Sequence, residues 1–551
     1  MTNNKIKVKI PEKKEVVIDK RGYVYYIIEL KYNPNTKHTD DVRKAIGKVC
    51  EDDKEYMHPN KAYNSFFNDE PLEEPESIDS YLHYGAYLAL KKVGERFGLL
   101  ESLRRSFPKL YDKILALCIF AIDSEDSTAQ HYEKWGFSNY AGIDACLTSG
   151  NISEIYKEIG KDRESINEFL KLYHETYSNM NSIKDRTVIA FDSTNQNTSA
   201  NTENMTRAEV GKAKKDESLP IINTAFFADE ITGIPIFYET FYGSILDKTE
   251  TPFTIDKIEN LGYKKCFFMM DRGYYSEKTL KSLQNDEFAV MCPESLLEIK
   301  EIFKKFKNEI MMNYSAYIPE ENVYGMLIHE EFKKGLYHYV YYDHEAALDE
   351  INFINGKIEH MVSELSKQKT YFSRKLAEKY KKYLTLVPIG TKGKRKFSII
   401  KNTKAIQEEI NDAGLFVILS NVKMTAKEMI QIARKRDVVE KNFKSLKTHL
   451  LFNKPDVHND LTYDGKMFVM FIALNLLTTY RFLIKQHLDA ISSRTVHTSL
   501  SSLGKIIIEK RDNYWCLRYA FTKQIKDILA LIGYDKNLES KLRKMVSPDK
   551  I

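Results

Sequence analysis

Apolar residues recur along this chain in two rhythms, and both run into charged side chains. Thr187-Val188-Ile189-Ala190-Phe191 is a short apolar, β-branched run that reads as a buried strand, and it stops at Asp192. Cys266-Phe267-Phe268-Met269-Met270 repeats the pattern and stops at Asp271, with Gly273 permitting a sharp turn. A polar loop is expected over Asn195 to Lys215. Leu219 to Phe227 and Ile234 to Phe241 then read as strands joined at a Thr232-Gly233 hairpin turn. A helix is expected near Pro252 to Leu261, another over Glu277 to Gln284 capped by Ser276, and a last strand over Phe288 to Cys292. The second rhythm is helical. Val439, Phe443, Leu446 and Leu450 form an apolar stripe, and Arg436, Glu440 and Lys447 fall in a narrow neighbouring arc at 3.6 residues per turn.

The same patterning divides the chain. Residues 1–68 hold short alternating segments such as Tyr23 to Leu30, with Asn33-Pro34-Asn35 as a turn, and predict a small β-rich module. The acidic, proline-bearing stretch from Asp69 to Glu76 reads as a linker. Residues 78–180 are helical in pattern, with Ala86 to Leu100 and Tyr111 to Ala121 as candidates. A core over 185–294 and 411–485 is separated by an excursion, 295–410, long enough to imply an inserted subdomain. Within it Phe332 to Tyr342 reads as a strand and Glu345 to Tyr383 as mostly helix. Residues 490–551 are expected to be helix-rich, with Ser499 to Glu509 and Phe521 to Ile532 as elements, and the tail is a candidate for pairing two subunits. Met467 to Leu477 is strongly apolar, but Asn475, Thr478, Thr479 and Arg481 interrupt it before membrane-spanning length, so a buried helix and no membrane are expected.

Composition adds little and excludes some chemistry. The 551 residues carry a net charge of +5, a mild lean towards nucleic acid. The distribution says more: between Lys367 and Lys396 basic residues crowd together with Tyr371, Phe372, Tyr380 and Tyr383 interleaved, a pattern suited to backbone neutralisation and base stacking or to a solvated helix with its aromatics turned inward. The six cysteines are scattered without Cys-x-x-Cys spacing, and the histidines form no ligand cluster, so neither zinc nor a disulfide framework is indicated. Met1 to Lys14 is polar and basic and does not read as a secretory signal, and a cytoplasmic location is expected.

One strand-end aspartate is most often a cap for the turn that follows. Two of them, with Glu440 on a later helix, favour a shared site at the lip of a sheet. Strand, hairpin, strand, helix, strand, helix, strand is also the element order of an α/β ribonuclease H-like fold: a mixed sheet flanked by helices, in which the first and fourth strands are adjacent and parallel. That arrangement would bring Asp192 and Asp271 side by side.

These residues make the chain resemble the DDE transposases of bacterial insertion sequences, in the subgroup with a Tyr-Arg-Glu-Lys signature. Arg436, Glu440 and Lys447 have the signature's spacing, Phe-Asp-Ser-Thr carries Asp192, and Met-Asp-Arg-Gly-Tyr-Tyr-Ser carries Asp271. Supporting similarity runs through Thr232-Gly233-Ile234-Pro235, Gly243 to Thr249 and Gly414 to Asn421. The signature's tyrosine is replaced by Ala433. The resemblance implies that Asp192, Asp271 and Glu440 hold two Mg²⁺ or Mn²⁺ ions, with Asp192 bridging. It implies that Arg436 and Lys447, with Lys444 and Arg272 nearby, bind DNA phosphates. The expected reaction is cleavage at terminal inverted repeats and joining of the freed 3′-hydroxyl to target DNA, by a homodimer in the synaptic complex of a nucleoid-associated bacterial enzyme. A nuclease of the same fold that does not join ends, and a domesticated DNA-binding protein, are the competing readings.

Overall fold

The computed structural model describes residues 7–33, 38–50, 53–60, 62–63, 66–67, 81–143, 146–180, 187–211, 218–263, 266–329, 332–367, 378–389, 396–450, 452, 454–491, 493, 495–511 and 514–548. The chain forms two compact units, 1–80 and 81–551. In the first, strands β1 (Val8–Lys9), β2 (Val16–Ile18), β3 (Tyr23–Asn33), β4 (His38–Val49) and β5 (Tyr56–Pro59) form an antiparallel sheet in the order β1-β5-β4-β3-β2. Val24, Ile46 and Met57 are its buried centre. The expected turn at 33–35 and the linker over 69–76 fall largely or wholly outside the described residues.

The second unit begins with β6 (Tyr81–His83) and six helices, from Gly85–Arg96 to Arg163–Met180. Its centre is a nine-stranded sheet. The strands are β7 (Thr187–Asn197), β8 (Ile221–Asp229), β9 (Pro235–Tyr242), β10 (Cys266–Met270), β11 (Glu287–Met291), β12 (Tyr317–Ile318), β13 (Val323–Ile328), β14 (Tyr337–Tyr342) and, after the separate hairpin of β15 (Leu384–Ile389) and β16 (Lys396–Lys401), β17 (Leu415–Ser420). Their order is β12-β13-β14-β17-β11-β10-β7-β8-β9. β7 and β10 are adjacent and parallel, as are β10 and β11, while β8 and β9 continue antiparallel from β7.

Three differences from the sequence reading matter. First, β7 does not stop at Asp192; it runs on to Asn197 because β8 pairs with it throughout, down to Asn197 opposite Ile221. The expected loop therefore begins as strand. Second, the excursion at 295–410 is not wholly separate: β13 and β14 add to the core sheet through β17. The stretch expected to be mostly helix, Glu345 to Tyr383, holds the helix His344–Ser366, while residues 368–377 lie outside the described ones. Part of the basic cluster around Lys375 lies outside the described residues. Third, Ser499 to Glu509, expected to be helix-rich, is helical only as far as Leu503. The helix is Val496–Leu503, and Ile507–Arg511 forms β18, which pairs with β19 (Tyr514–Leu517) and β6.

Contrary to the sequence reading, the polar residues after Leu474 do not shorten the helical stretch below spanning length: Asp460–His487 is long and apolar enough to cross a membrane by length and composition, but 83% of its most apolar 18 residues is buried inside the protein, as expected of a core helix. It crosses the helix Ser149–Lys161 at two glycines: a Cβ on Gly465 would come within 1.8 Å of the Tyr156 carbonyl, and one on Gly160 within 1.9 Å of the Leu461 carbonyl. The two backbones touch there, and only hydrogen side chains fit.

Candidate active site

The register of the sheet places the two aspartates. Cys266 pairs with Thr187 and Met269 with Ala190, so continuing the pairing by two residues sets Asp271 beside Asp192. Every residue of β10 is buried. Side chains alternate faces along a strand. Phe267 and Met269 pack with Met429 and Ile430 of the helix Ala426–Lys435, so Asp271, with the same parity, points towards that helix. Asp192 pairs with Phe226, whose ring packs against Phe443 of the helix Asp437–Lys444 at 5.4 Å. Both carboxylates thus face the layer formed by residues 426–444.

The Arg436–Lys447 segment is not the single helix expected. Arg436 is the junction between the two helices just named, and residues Ser445–His449 form a π-helical turn. The apolar stripe is as expected: Val439, Phe443, Leu446 and Leu450 are all buried. Asn442 locks the second helix in place, donating to the Gly233 carbonyl at 2.8 Å and accepting from Thr478 at 3.3 Å. Ala433 packs at the rim of the cluster around Met429 and its carbonyl accepts the Arg436 N–H.

Arg436 is where the site converges. Its Nη1 lies 3.8 Å from Asp192 Oδ2 and 4.0 Å from Asp271 Oδ2, and its Nη2 is 3.0 Å from Glu440 Oε1. Nη1 is buried and makes no hydrogen bond. Three carboxylates from a strand, a strand end and a helix therefore surround one guanidinium, with exposure rising from 17% at Asp192 to 38% at Asp271 and 54% at Glu440. Among the described residues no three acidic, histidine or cysteine side chains are close enough to bind one metal ion as they stand. The carboxylates are spread around a cation larger than a metal. Their donor set fits one nonetheless: carboxylate oxygens suit hard divalent cations, and the group already at their centre is a positive charge with an unpaired buried donor.

Backbone and tyrosine donors orient the acids. Asp192 Oδ1 accepts the Ser193 N–H at 2.8 Å and the Tyr274 hydroxyl at 3.2 Å, and Asp271 Oδ1 accepts the Arg272 N–H at 2.7 Å. Burial, then the nearby Asp192 charge, keep the Tyr274 hydroxyl protonated far above its ordinary range, so it stays a donor. Tyr274 was present in the Met-Asp-Arg-Gly-Tyr-Tyr-Ser motif, but sequence reasoning gave it no role. Lys447 donates to the Thr194 hydroxyl and to the Asn195 carbonyl, on the strand that carries Asp192. Arg272 is paired with Glu294 at 2.8 Å, and Lys444 is exposed. A cavity of about 590 Å³ opens beside Asp271 and Arg436, with Glu294, Asp343, Glu350 and Phe353 in its wall.

No curated protein matches the chain. The solved structure of a piggyBac transposase synaptic complex with hairpin DNA is similar at a TM-score of 0.35, with 10% identity over 76% of this chain and 79% of that one. Residues 183–476, more than half of the chain, match the family model of the transposase DDE domain, and the chain belongs to that family. It is a DNA transposase, a metal-dependent enzyme of DNA cleavage and transfer.

Proposed function

We propose that this DDE transposase cuts the ends of a bacterial insertion sequence and joins the freed 3′-hydroxyl to target DNA, using Asp192, Asp271 and Glu440 as its metal-binding carboxylates. The observation that carries the reading is their convergence on the Arg436 guanidinium from positions far apart in the chain. The element order and the parallel β7–β10 pair support a ribonuclease H-like core. The spacing of Arg436, Glu440 and Lys447 supports the Tyr-Arg-Glu-Lys subgroup, with Ala433 at the tyrosine's position. In this reading 185–294 and 411–485 are the catalytic core, 295–410 is an insertion that partly extends its sheet, 78–180 contributes to end binding, and 490–551 to pairing of two copies. Residues 1–68 form a separate β-rich module. The enzyme acts in the bacterial cytoplasm on terminal inverted repeats and target DNA, as a homodimer in its synaptic complex.

Asp192, Asp271 and Glu440 would hold the divalent ions, proposed as two Mg²⁺ or Mn²⁺, and these would supply activation of the attacking oxygen and stabilisation of the leaving one. The rest of the work falls to the chain itself. Tyr274 and the Ser193 N–H fix one Asp192 oxygen and leave the other facing the site. Arg436 has a buried N–H with no acceptor, which a phosphate oxygen satisfies, and its planar fork sets that phosphate's orientation. Lys447, tethered to Thr194 and Asn195, adds a point charge along the same strand. Lys444, three residues before Lys447, is exposed. Arg272 meets DNA only by exchanging Glu294 for phosphate.

Asp192→Asn, Asp271→Asn and Glu440→Gln each abolish Mg²⁺-dependent cleavage and strand transfer while DNA binding in gel-shift assays is largely kept. Full Mg²⁺-dependent cutting by any one of them removes that residue from the site.

A further inference from the structure

A second cavity, of about 460 Å³, lies just past the C-terminal end of β7, the strand that carries Asp192 at its middle. Thr198, Ser199 and Ala200, which follow that strand, form one wall. Three helices begin at it: Ala129–Gly136 through Thr128 and Gln130, Ser149–Lys161 through Ser149 and Ser153, and Asp460–Ile484 through Asn459 and Thr462. A helix start presents unpaired N–H groups and partial positive charge. Thr128 gives the first of these no side-chain cap, whereas Thr148 accepts the Asn151 N–H of the second and Asn459 the Thr462 N–H of the third, which leaves only the other first-turn N–H groups of those two helices to face the cavity.

The cavity is also lined by basic side chains. Lys454 and His458 are exposed in its lining, and Lys466, with 2% exposure, lies in its wall. The Lys466 ammonium has three hydrogens to donate and gives one, at 2.9 Å, to the Pro455 carbonyl. Asp456 is the one acidic residue in the lining. Burial pulls the Lys466 ammonium down to about 8, against the opposing charges of Asp456 and Asp126, so it is still mostly charged at neutral pH. A buried ammonium with donors to spare, facing a cavity where three helices start, is built to receive an anion of several acceptor oxygens.

Position identifies the anion's source. Thr198 follows Asp192 by six residues, about 20 Å of extended chain. Lys447 stands between them at Thr194 and Asn195. Positive points therefore lie in a row along one strand, starting at the carboxylates. In duplex DNA about 20 Å corresponds to roughly six base pairs. We propose that the cavity seats a backbone phosphate of the DNA flanking the cut, held by Lys466, Lys454 and the three helix starts, and so fixes the path of the flank across the protein. The proposal rests on the chain acting on DNA at the Asp192 site.

Two variants of the full chain test it. Ser153→Asp puts a carboxylate in the cavity at an exposed position of the helix Ser149–Lys161, just past its first turn, where no packed neighbour is displaced, so folding is kept. Lys454→Ala removes an exposed cation. Affinity for a duplex of arbitrary sequence is measured against salt concentration, and melting temperature against inorganic phosphate. Ser153→Asp is expected to weaken duplex binding about tenfold and to lose the rise in melting temperature that phosphate gives the parent. Lys454→Ala is expected to lower the salt slope by about one. If phosphate stabilises only the parent but neither variant changes duplex affinity or slope, the cavity takes free anions and the proposal is overturned. If neither ligand responds to the variants, the cavity is structural and the proposal is equally overturned. Mg²⁺-dependent nicking by the parent is scored separately: a parent that binds DNA but never nicks it sinks the functional reading, while the effect of the variants on binding still decides the cavity.

Discussion

Replacing Asp271 with Asn separates a metal ligand from a structural partner of Arg436, and the structure supplies the magnitudes. At 4.0 Å the attraction between Asp271 and Arg436 is about 4 kcal/mol at an effective dielectric of about 20, and about half of that once the exposure of Asp271 is allowed for. Repulsion opposes it. Asp192 and Asp271 contact the same guanidinium nitrogen and so lie less than about 8 Å apart, which costs at least about 1 kcal/mol on the same discount. Glu440, held on the other nitrogen, adds a similar amount. The neutral amide loses one attraction and two repulsions, and its oxygen still accepts the Arg272 N–H. Metal-free stability is therefore expected to stay within about 1 kcal/mol of the parent. Function should not survive so well: the variant is expected to lose both the Mg²⁺-dependent rise in melting temperature and Mg²⁺-dependent nicking of DNA. Urea denaturation in chelator, thermal melts with and without Mg²⁺, and a plasmid nicking assay measure the three quantities. A variant destabilised by more than about 2 kcal/mol without metal, yet still nicking with it, would show that Asp271 exists to hold Arg436 in place and would refute the reasoning.

Three further outcomes follow from the same geometry. Tyr274→Phe removes the hydroxyl that fixes Asp192 and should slow nicking about tenfold with a stability loss of about 1 kcal/mol, checked by single-turnover kinetics and urea melts. Lys466 has its pKa lowered by burial from 10.5 to about 8, so between those values the unfolded chain binds a proton that the folded chain does not. Its contribution to stability therefore rises as pH climbs through that window, by about 3 kcal/mol, and Lys466→Met should flatten that part of a stability–pH profile relative to the parent. Gly465→Ala drives a methyl into the Tyr156 carbonyl and should destabilise the fold by about 3 kcal/mol or more in urea denaturation, whereas Gly356→Ala, with open space around it, should be neutral or stabilising.

How much of this was legible in the residues depended on where each element's polar groups are satisfied. The run before Asp271 was legible because every side chain in β10 is buried and the apolar string is simply strand-length. The continuation of β7 was not. Ser193 to Thr198 is polar at every position and reads as loop, yet it is buried, because its partners come from distant parts of the chain. Gln196 donates to the Phe452 carbonyl and accepts from the Tyr463 hydroxyl, and Lys447 holds Thr194. No local pattern announces such partners. The excursion hid two core strands for a similar reason: β14 owes its place to pairing with β17, more than seventy residues later. The strand at Ile507–Arg511 is a different case, since Ile506-Ile507-Ile508 carried a β-branched signal that the helical reading passed over.

The convergence of the three acids turns on a single register. With Met269 opposite Ala190, Asp271 falls beside Asp192 and on the face that meets Arg436 and Glu440. A slip of one residue between β7 and β10 would misalign the two carboxylates and, because strand side chains alternate, turn one relative to the other across the sheet. That register is held by the buried faces of the strands rather than by the acids, which gain nothing from one another without a cation between them. The unbroken burial of β10 on both faces is thus what positions the chemistry. Burying a charge at Met269, opposite Met429, should cost metal-dependent stabilisation as well as folding, although Met269 touches neither metal nor DNA in the proposed site.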